Sequence, residues 1–232
     1  MKKSIVLATA VASVLASGVA SAELSANAGI FSNYIWRGVT QTGDSAAGQG
    51  GIDWGNDAGL YAGTWTSTIS GGQEVDFYAG FASEVGGLGY DVGVITYQYP
   101  VTPNINFTEA YVSGTMSIVT IGVNYTVDAA SGNENTAFDS GDLYAFGSLD
   151  FGAGTSDISL YAGTYMFDAD GTGAGKAGDI NYNHFGASIS KDGFAFAVDK
   201  NDIEETNPVF GSFANNMDNV RVTVSYSKDF EL

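Results

Sequence analysis

Acidic side chains at every second position are the groups in this sequence best placed to do chemistry. Between Gln73 and Glu84, the residues Glu74, Asp76 and Glu84 share one parity, while Val75, Phe77, Ala79 and Phe81 take the other. Side chains of a β-strand alternate faces, so this segment carries a carboxylate wall and an apolar wall. The same test puts Asp91, Glu109, Asp142, Asp150, Asp199 and Asp229 on polar walls, with Arg221 as the clearest base among them. Acids gathered round a common space concentrate cations there and repel anions. That is the chemistry of selective passage or binding.

Bond-breaking chemistry is poorly supplied. His184 is the single histidine, set in Asn181-Tyr182-Asn183-His184 with no carboxylate within two positions. No Gly-x-Ser-x-Gly elbow occurs, and no His/Cys cluster suits zinc. A hydrolase would have to bring Ser or Asp to His184 across strands; a strand-borne histidine at an interface is the simpler account. The run Asp168-Ala169-Asp170-Gly171-Thr172-Gly173, with Asp179 at the twelfth position, has the spacing of a calcium loop. Thr172 is a poor fifth-position ligand, Asp179 stands where a bidentate Glu is usual, and the flanking pattern is not helical. An acidic surface loop is the plainer reading. No cofactor is expected.

The elements that would hold these acids are strands. The last one, Val220–Phe230, places Val220, Val222, Val224, Tyr226 and Phe230 on one face and Arg221, Thr223, Ser225, Ser227 and Asp229 on the other. Similar alternation predicts about twelve strands: Leu24–Trp36, Gly48–Trp54, Gly59–Ile69, Gln73–Glu84, Leu88–Tyr99, Asn106–Gly114, Ser117–Val127, Asp142–Phe151, Asp157–Phe167, Ile180–Ser190, Gly193–Lys200 and Val220–Phe230. Tight turns and long connections alternate along the chain, Ser70-Gly71-Gly72 alone being short where a long one is due. This is the plan of an outer-membrane barrel, with termini and tight turns in the periplasm and long loops outside. Leu60-Tyr61-Ala62-Gly63-Thr64-Trp65 recurs as Leu160-Tyr161-Ala162-Gly163-Thr164-Tyr165, as similar strands of one sheet would. Trp36, Trp54, Tyr61, Tyr97, Tyr99, Tyr125, Tyr165, Phe167 and Phe230 fall near strand ends, where rings suit the two membrane interfaces. Gly63, Gly80, Gly93, Gly122 and Gly186 fall inside strands, where a closing sheet must bend.

Composition agrees. Residues 1–22 read as a secretory signal, with Lys2 and Lys3, an apolar core, and the small-x-small site Ala20-Ser21-Ala22. Cleavage near Ala22 would leave a mature domain, 23–232, with 26 acids against 6 bases. Nucleic acid is a poor partner for such a chain. With 44% hydrophobic residues, 32 glycines and no cysteine, it is neither a disordered acidic tail nor a disulfide-stapled domain.

The stretch Ser32-Asn33-Tyr34-Ile35-Trp36-Arg37-Gly38-Val39-Thr40-Gln41-Thr42 resembles the opening of the TorF-type porins, the Gcw_chp family. Gln49-Gly50-Gly51-Ile52-Asp53-Trp54, the segment from Gly59 to Trp65, Glu74 to Gly80, and Tyr97-Gln98-Tyr99-Pro100 are similar to it too. The likeness is dense over the first half and loose beyond about residue 125. It implies an outer-membrane β-barrel and a pore, and supplies no substrate or catalytic residue. Arg37 is expected to pair with a loop acid or to line the outer mouth. Glu231 and Leu232 after Phe230 depart from the usual terminal aromatic residue.

The expectation is one antiparallel transmembrane β-barrel in the outer membrane of a Gram-negative bacterium, among lipid and lipopolysaccharide. It would pass small hydrophilic solutes or cations through an acid-lined lumen. A non-conducting barrel whose acidic loops bind a partner or stabilise the envelope stands as the alternative. A soluble periplasmic β-protein is opposed by the lipid-compatible outer parity. The sequence identifies no subunit interface.

Overall fold

The computed structural model describes residues 23–130, 139–168, 180–203 and 217–232. Twelve antiparallel strands close into a barrel: β1 (Glu23–Phe31), β4 (Ala47–Gly55), β5 (Leu60–Ile69), β6 (Gly72–Val85), β7 (Leu88–Gln98), β8 (Phe107–Met116), β9 (Val119–Ala129), β10 (Leu143–Ala153), β11 (Ser156–Met166), β12 (Tyr182–Lys191), β13 (Phe194–Asn201) and β14 (Arg221–Glu231). Each pairs with its sequence neighbour, and β1 pairs with both β14 and β4, so no edge is left open. Two further short strands, β2 (Ile35–Trp36) and β3 (Val39–Thr40), form a hairpin of their own. The fold class and strand number are those the alternation predicts. Among the described residues no helix is long and apolar enough to cross a membrane.

The parity becomes the wall of the barrel. Ile30, Phe77, Val94, Ile121, Leu160, Phe185, Val222 and Val224 are exposed on its outside, an apolar surface that a soluble protein would not carry all round. The opposite parity holds the buried Glu74, Asp76, Glu109, Tyr165, Tyr182 and Asp199.

Three expectations are corrected. The first strand ends at Phe31, not Trp36, and the turn after β8 falls at Ser117-Ile118 rather than in Gly114–Met116. Of the rings assigned to membrane interfaces, Trp54, Tyr125 and Phe230 are exposed, but Tyr61, Tyr97, Tyr165 and Phe167 are buried. The odd parity of β5, β7 and β11 turns them inward. The strand glycines receive Tyr61 and other inward rings. A Cβ on Gly63 would overlap Tyr78; on Gly80, Tyr61; on Gly93, Tyr111; on Gly122, Phe146; and on Gly186, Tyr161. Each ring reaches over a glycine of a neighbouring strand, where a side chain would stand in its way.

Candidate functional site: the inner hairpin and its acid cluster

The segment between β1 and β4 folds inward. Asn33, Tyr34, Ile35, Arg37, Gly38, Val39 and Thr42 are all buried. Ile35 pairs with Thr40 and Trp36 with Val39, leaving Arg37 and Gly38 as the two turn residues. Both have positive φ, 48° and 79°. A two-residue hairpin turn of this hand requires that at both central positions; glycine adopts it freely, arginine at a cost. What holds Arg37 there is its side chain.

Arg37 donates from Nη1 to Glu109 Oε1 at 2.7 Å and from Nη2 to Oε2 at 2.6 Å, a two-pronged ion pair. Glu109 belongs to β8, five strands from β1 one way round the barrel and seven the other. The hairpin therefore reaches the far wall. The guanidinium carbon lies 4.2 Å from the ring centre of Trp36 and 4.1 Å from that of Tyr144, so cation–π attraction acts on its faces while Glu109 fills its edge. Burial alone would weaken the charge of Arg37; the Glu109 carboxylate outweighs that and holds its pKa above the ordinary value.

Other contacts fix the rest of the hairpin. Asn201 Nδ2 donates to the Gly38 carbonyl at 2.7 Å, and a Cβ on Gly38 would overlap His184. Asn33 Oδ1 accepts the hydroxyls of Thr40 and Thr42, and Asn33 Nδ2 donates to Asp44 Oδ1 at 2.8 Å. Asp44 accepts from Arg221 Nε at 2.8 Å, while Ser32 is bonded to Val224 through backbone and hydroxyl. Trp36 packs against all three buried clusters of the interior. The Ser32 to Gly38 motif thus builds a constriction inside the barrel.

The sequence-assigned acids sort into three groups. Glu74, Asp76 and Glu109 face the hairpin. Glu109 also accepts from Tyr97 Oη at 3.2 Å and Asn124 Nδ2 at 3.0 Å. Glu74 accepts from Tyr34 Oη at 2.8 Å; burial, then the Glu74 charge, pushes the Tyr34 phenol up from its ordinary value. Asp76 is 1% exposed, and its Oδ1 receives no hydrogen bond among the described residues.

A second group is tied to barrel side chains. Asp91 accepts from Tyr61 Oη at 2.5 Å, Asp199 from Tyr161 Oη at 2.7 Å, and Asp150 from Ser148 and Ser159 at 2.6 Å each. Arg221, opposite Asp199 in register, turns to Asp44 and the Met217 carbonyl. In the third group, Glu84 and Asp229 are exposed near the end where the termini lie. Asp142 sits just before β10 and accepts the backbone N–H groups of Asp139 and Asp168, which ties those two segments together. Of the calcium-loop spacing only Asp168 is described; Asp170, Thr172 and Asp179 lie outside the described residues, as do Glu204, Glu205 and the signal segment. His184 Nε2 shares a hydrogen bond of 2.8 Å with Tyr144 Oη, and no carboxylate bond to it is present among the described residues.

Asp53, which the parity survey omits, accepts from Tyr78 Oη and from Asn27. Its alternation with Ile52 and Trp54 is the signal that would have included it.

The barrel has known counterparts. The KdgM porin superposes with a TM-score of 0.55 at 8% identity, over 90% of this chain and 99% of that one. The NanC porin does so with a TM-score of 0.51 at 12% identity, over 90% and 100%. A further KdgM porin structure, in complex with disordered oligogalacturonate, gives 0.51 at 7% identity over 91% and 99%. At such identities these likenesses concern the fold. No curated protein matches the chain. The model of the family described as "Bacterial protein of unknown function (Gcw_chp)" matches residues 15–230. The chain belongs to the Gcw_chp family.

Proposed function

We propose that the protein is an outer-membrane porin through which small hydrophilic solutes diffuse passively, with cations preferred. The observation that carries this reading is the charge of the inward face. Glu74, Asp76, Asp91, Asp150 and Asp199 turn inward, whereas the inward bases among the described residues, Arg37 and Arg221, are bonded to Glu109 and Asp44. Uncompensated carboxylates in a confined space raise local cation concentration and repel anions. The apolar exterior suits lipid, and the resemblance to TorF-type porins points the same way. Export through a signal cleaved near Ala22 belongs to this reading, as does placement in a Gram-negative outer membrane beside lipopolysaccharide. The KdgM porin was solved with oligogalacturonate, a polyanion. An acid-lined lumen would repel such a chain, so the solutes expected here are of another class.

A second reading, a barrel that conducts little and acts through its acidic loops, is favoured by the inner hairpin crossing the lumen. Conductance of the refolded protein in a planar bilayer under a KCl gradient separates the two. The porin reading expects discrete openings with a cation-selective reversal potential. Replacing Asp91 and Asp150 by Asn should shift that potential toward zero. A folded barrel that gives no openings would leave the second reading standing.

A further inference from the structure

Three buried carboxylates stand on the inward face around the hairpin segment, and one is left over. Glu109 is filled by Arg37, Tyr97 and Asn124, and Glu74 takes the hydrogen of Tyr34. Asp76 is shielded from solvent and within electrostatic range of both other acids, yet its Oδ1 has no hydrogen-bond partner among the described residues. A buried carboxylate without a partner is costly, and a cation or donor brought to it is held strongly.

The neighbourhood suggests the kind of cation. In the same interior Glu109 already grips a guanidinium, with its carboxylate along the edge and aromatic rings on the faces. Asp76 has comparable parts: its own carboxylate, Glu74 two positions along the same face, and the buried rings of Trp65 and Tyr97 directly opposite it in register on the two neighbouring strands. Among the described residues no three acid, His or Cys side chains are grouped as metal ligands would be. An ammonium or guanidinium group needs fewer carboxylates and gains from ring faces.

We infer that Asp76 is the seat for an organic cation, the primary ammonium or guanidinium of a solute, beside the seat that Arg37 fills from within the chain. The inference rests on the porin reading for the route by which the solute arrives, but its test needs no membrane.

Agmatine, which carries both groups, is titrated calorimetrically into the refolded full chain in detergent. The parent is expected to bind it, and Asp76→Asn to weaken binding about tenfold or more, since a charge-assisted hydrogen bond is lost. Asp57→Asn, in an exposed turn, should bind as the parent does. Near-UV circular dichroism verifies that each variant is folded, and asparagine matches aspartate in shape. Equal affinity in Asp76→Asn, no binding by the parent, or displacement of agmatine by equimolar KCl would each overturn the inference. Binding without bilayer conductance would remove the porin reading alone; conductance without agmatine binding would remove the seat alone.

Discussion

Glu109→Gln will release the inner hairpin from the lumen. The substitution keeps shape and size but leaves the Arg37 guanidinium buried without its counter-charge. Removing one partner of a buried pair costs about 3–5 kcal/mol, because the other charge stays desolvated. The remaining ties are weaker. Asn201 to the Gly38 carbonyl is one neutral hydrogen bond, and Asp44, the partner of Arg221, is 59% exposed, so water screens that pair. Arg37 also occupies a left-handed backbone conformation that favours leaving once its side chain is no longer held. Two measurements check this. Trypsin should cut the variant after Arg37, giving a fragment that begins at Gly38, while the parent resists because Arg37 is buried. Single-channel conductance should rise in the variant. Arg37→Ala should raise conductance likewise and abolish the cut. A Glu109→Gln protein as resistant as the parent, with unchanged conductance, would mean that the hairpin is seated by its aromatic packing around Trp36 and not by the ion pair.

The barrel was legible because the outside and the inside of a closed sheet impose opposite demands on alternate residues, and Val220 to Phe230 records them without interruption. The hairpin was not. Tyr34, Ile35 and Trp36 continue the pattern of β1, so periodicity alone runs that strand on to Trp36. The contrary signal is local: Ile35-Trp36 and Val39-Thr40 flank a dipeptide ending in glycine, the form of a two-residue hairpin. The partner of Arg37 had no signal of any kind, since Glu109 lies 72 residues on. Parity tells which acids turn inward, but not which of them meets a base brought in by a folded-back loop. The rings were misassigned for a related reason. Tyr61 and Tyr165 stand near strand ends, as interface residues do, and only their parity separates them from the exposed Trp54 and Tyr125.

Gly80→Val will be among the most destabilising single changes in the barrel wall. Tyr61 of β5, Gly80 of β6, Gly93 of β7 and Tyr111 of β8 stand in one row across four adjacent strands. The two tyrosines lean toward each other over the two glycines, and their hydroxyls meet beside Asp91. A Cβ on Gly80 overlaps the Tyr61 ring and comes within 2.7 Å of the Val92 carbonyl oxygen. The ring can swing away only by abandoning Asp91; the carbonyl belongs to the strand ladder and cannot move without breaking it. Overpacking of this kind costs about 1–3 kcal/mol, more where backbone must shift. Urea unfolding of the refolded protein, followed by loss of the heat-modifiable gel shift, measures it. In a cycle with the smaller Gly80→Ala, adding Tyr61→Ala should cost less than in the parent, with a coupling of about 0.5–3 kcal/mol. Part of the Gly80 penalty will persist in the double variant, because the Val92 carbonyl remains. Strictly additive penalties would show that ring and glycine are neighbours without being fitted to each other, and that glycine stands in these strands to let the sheet bend.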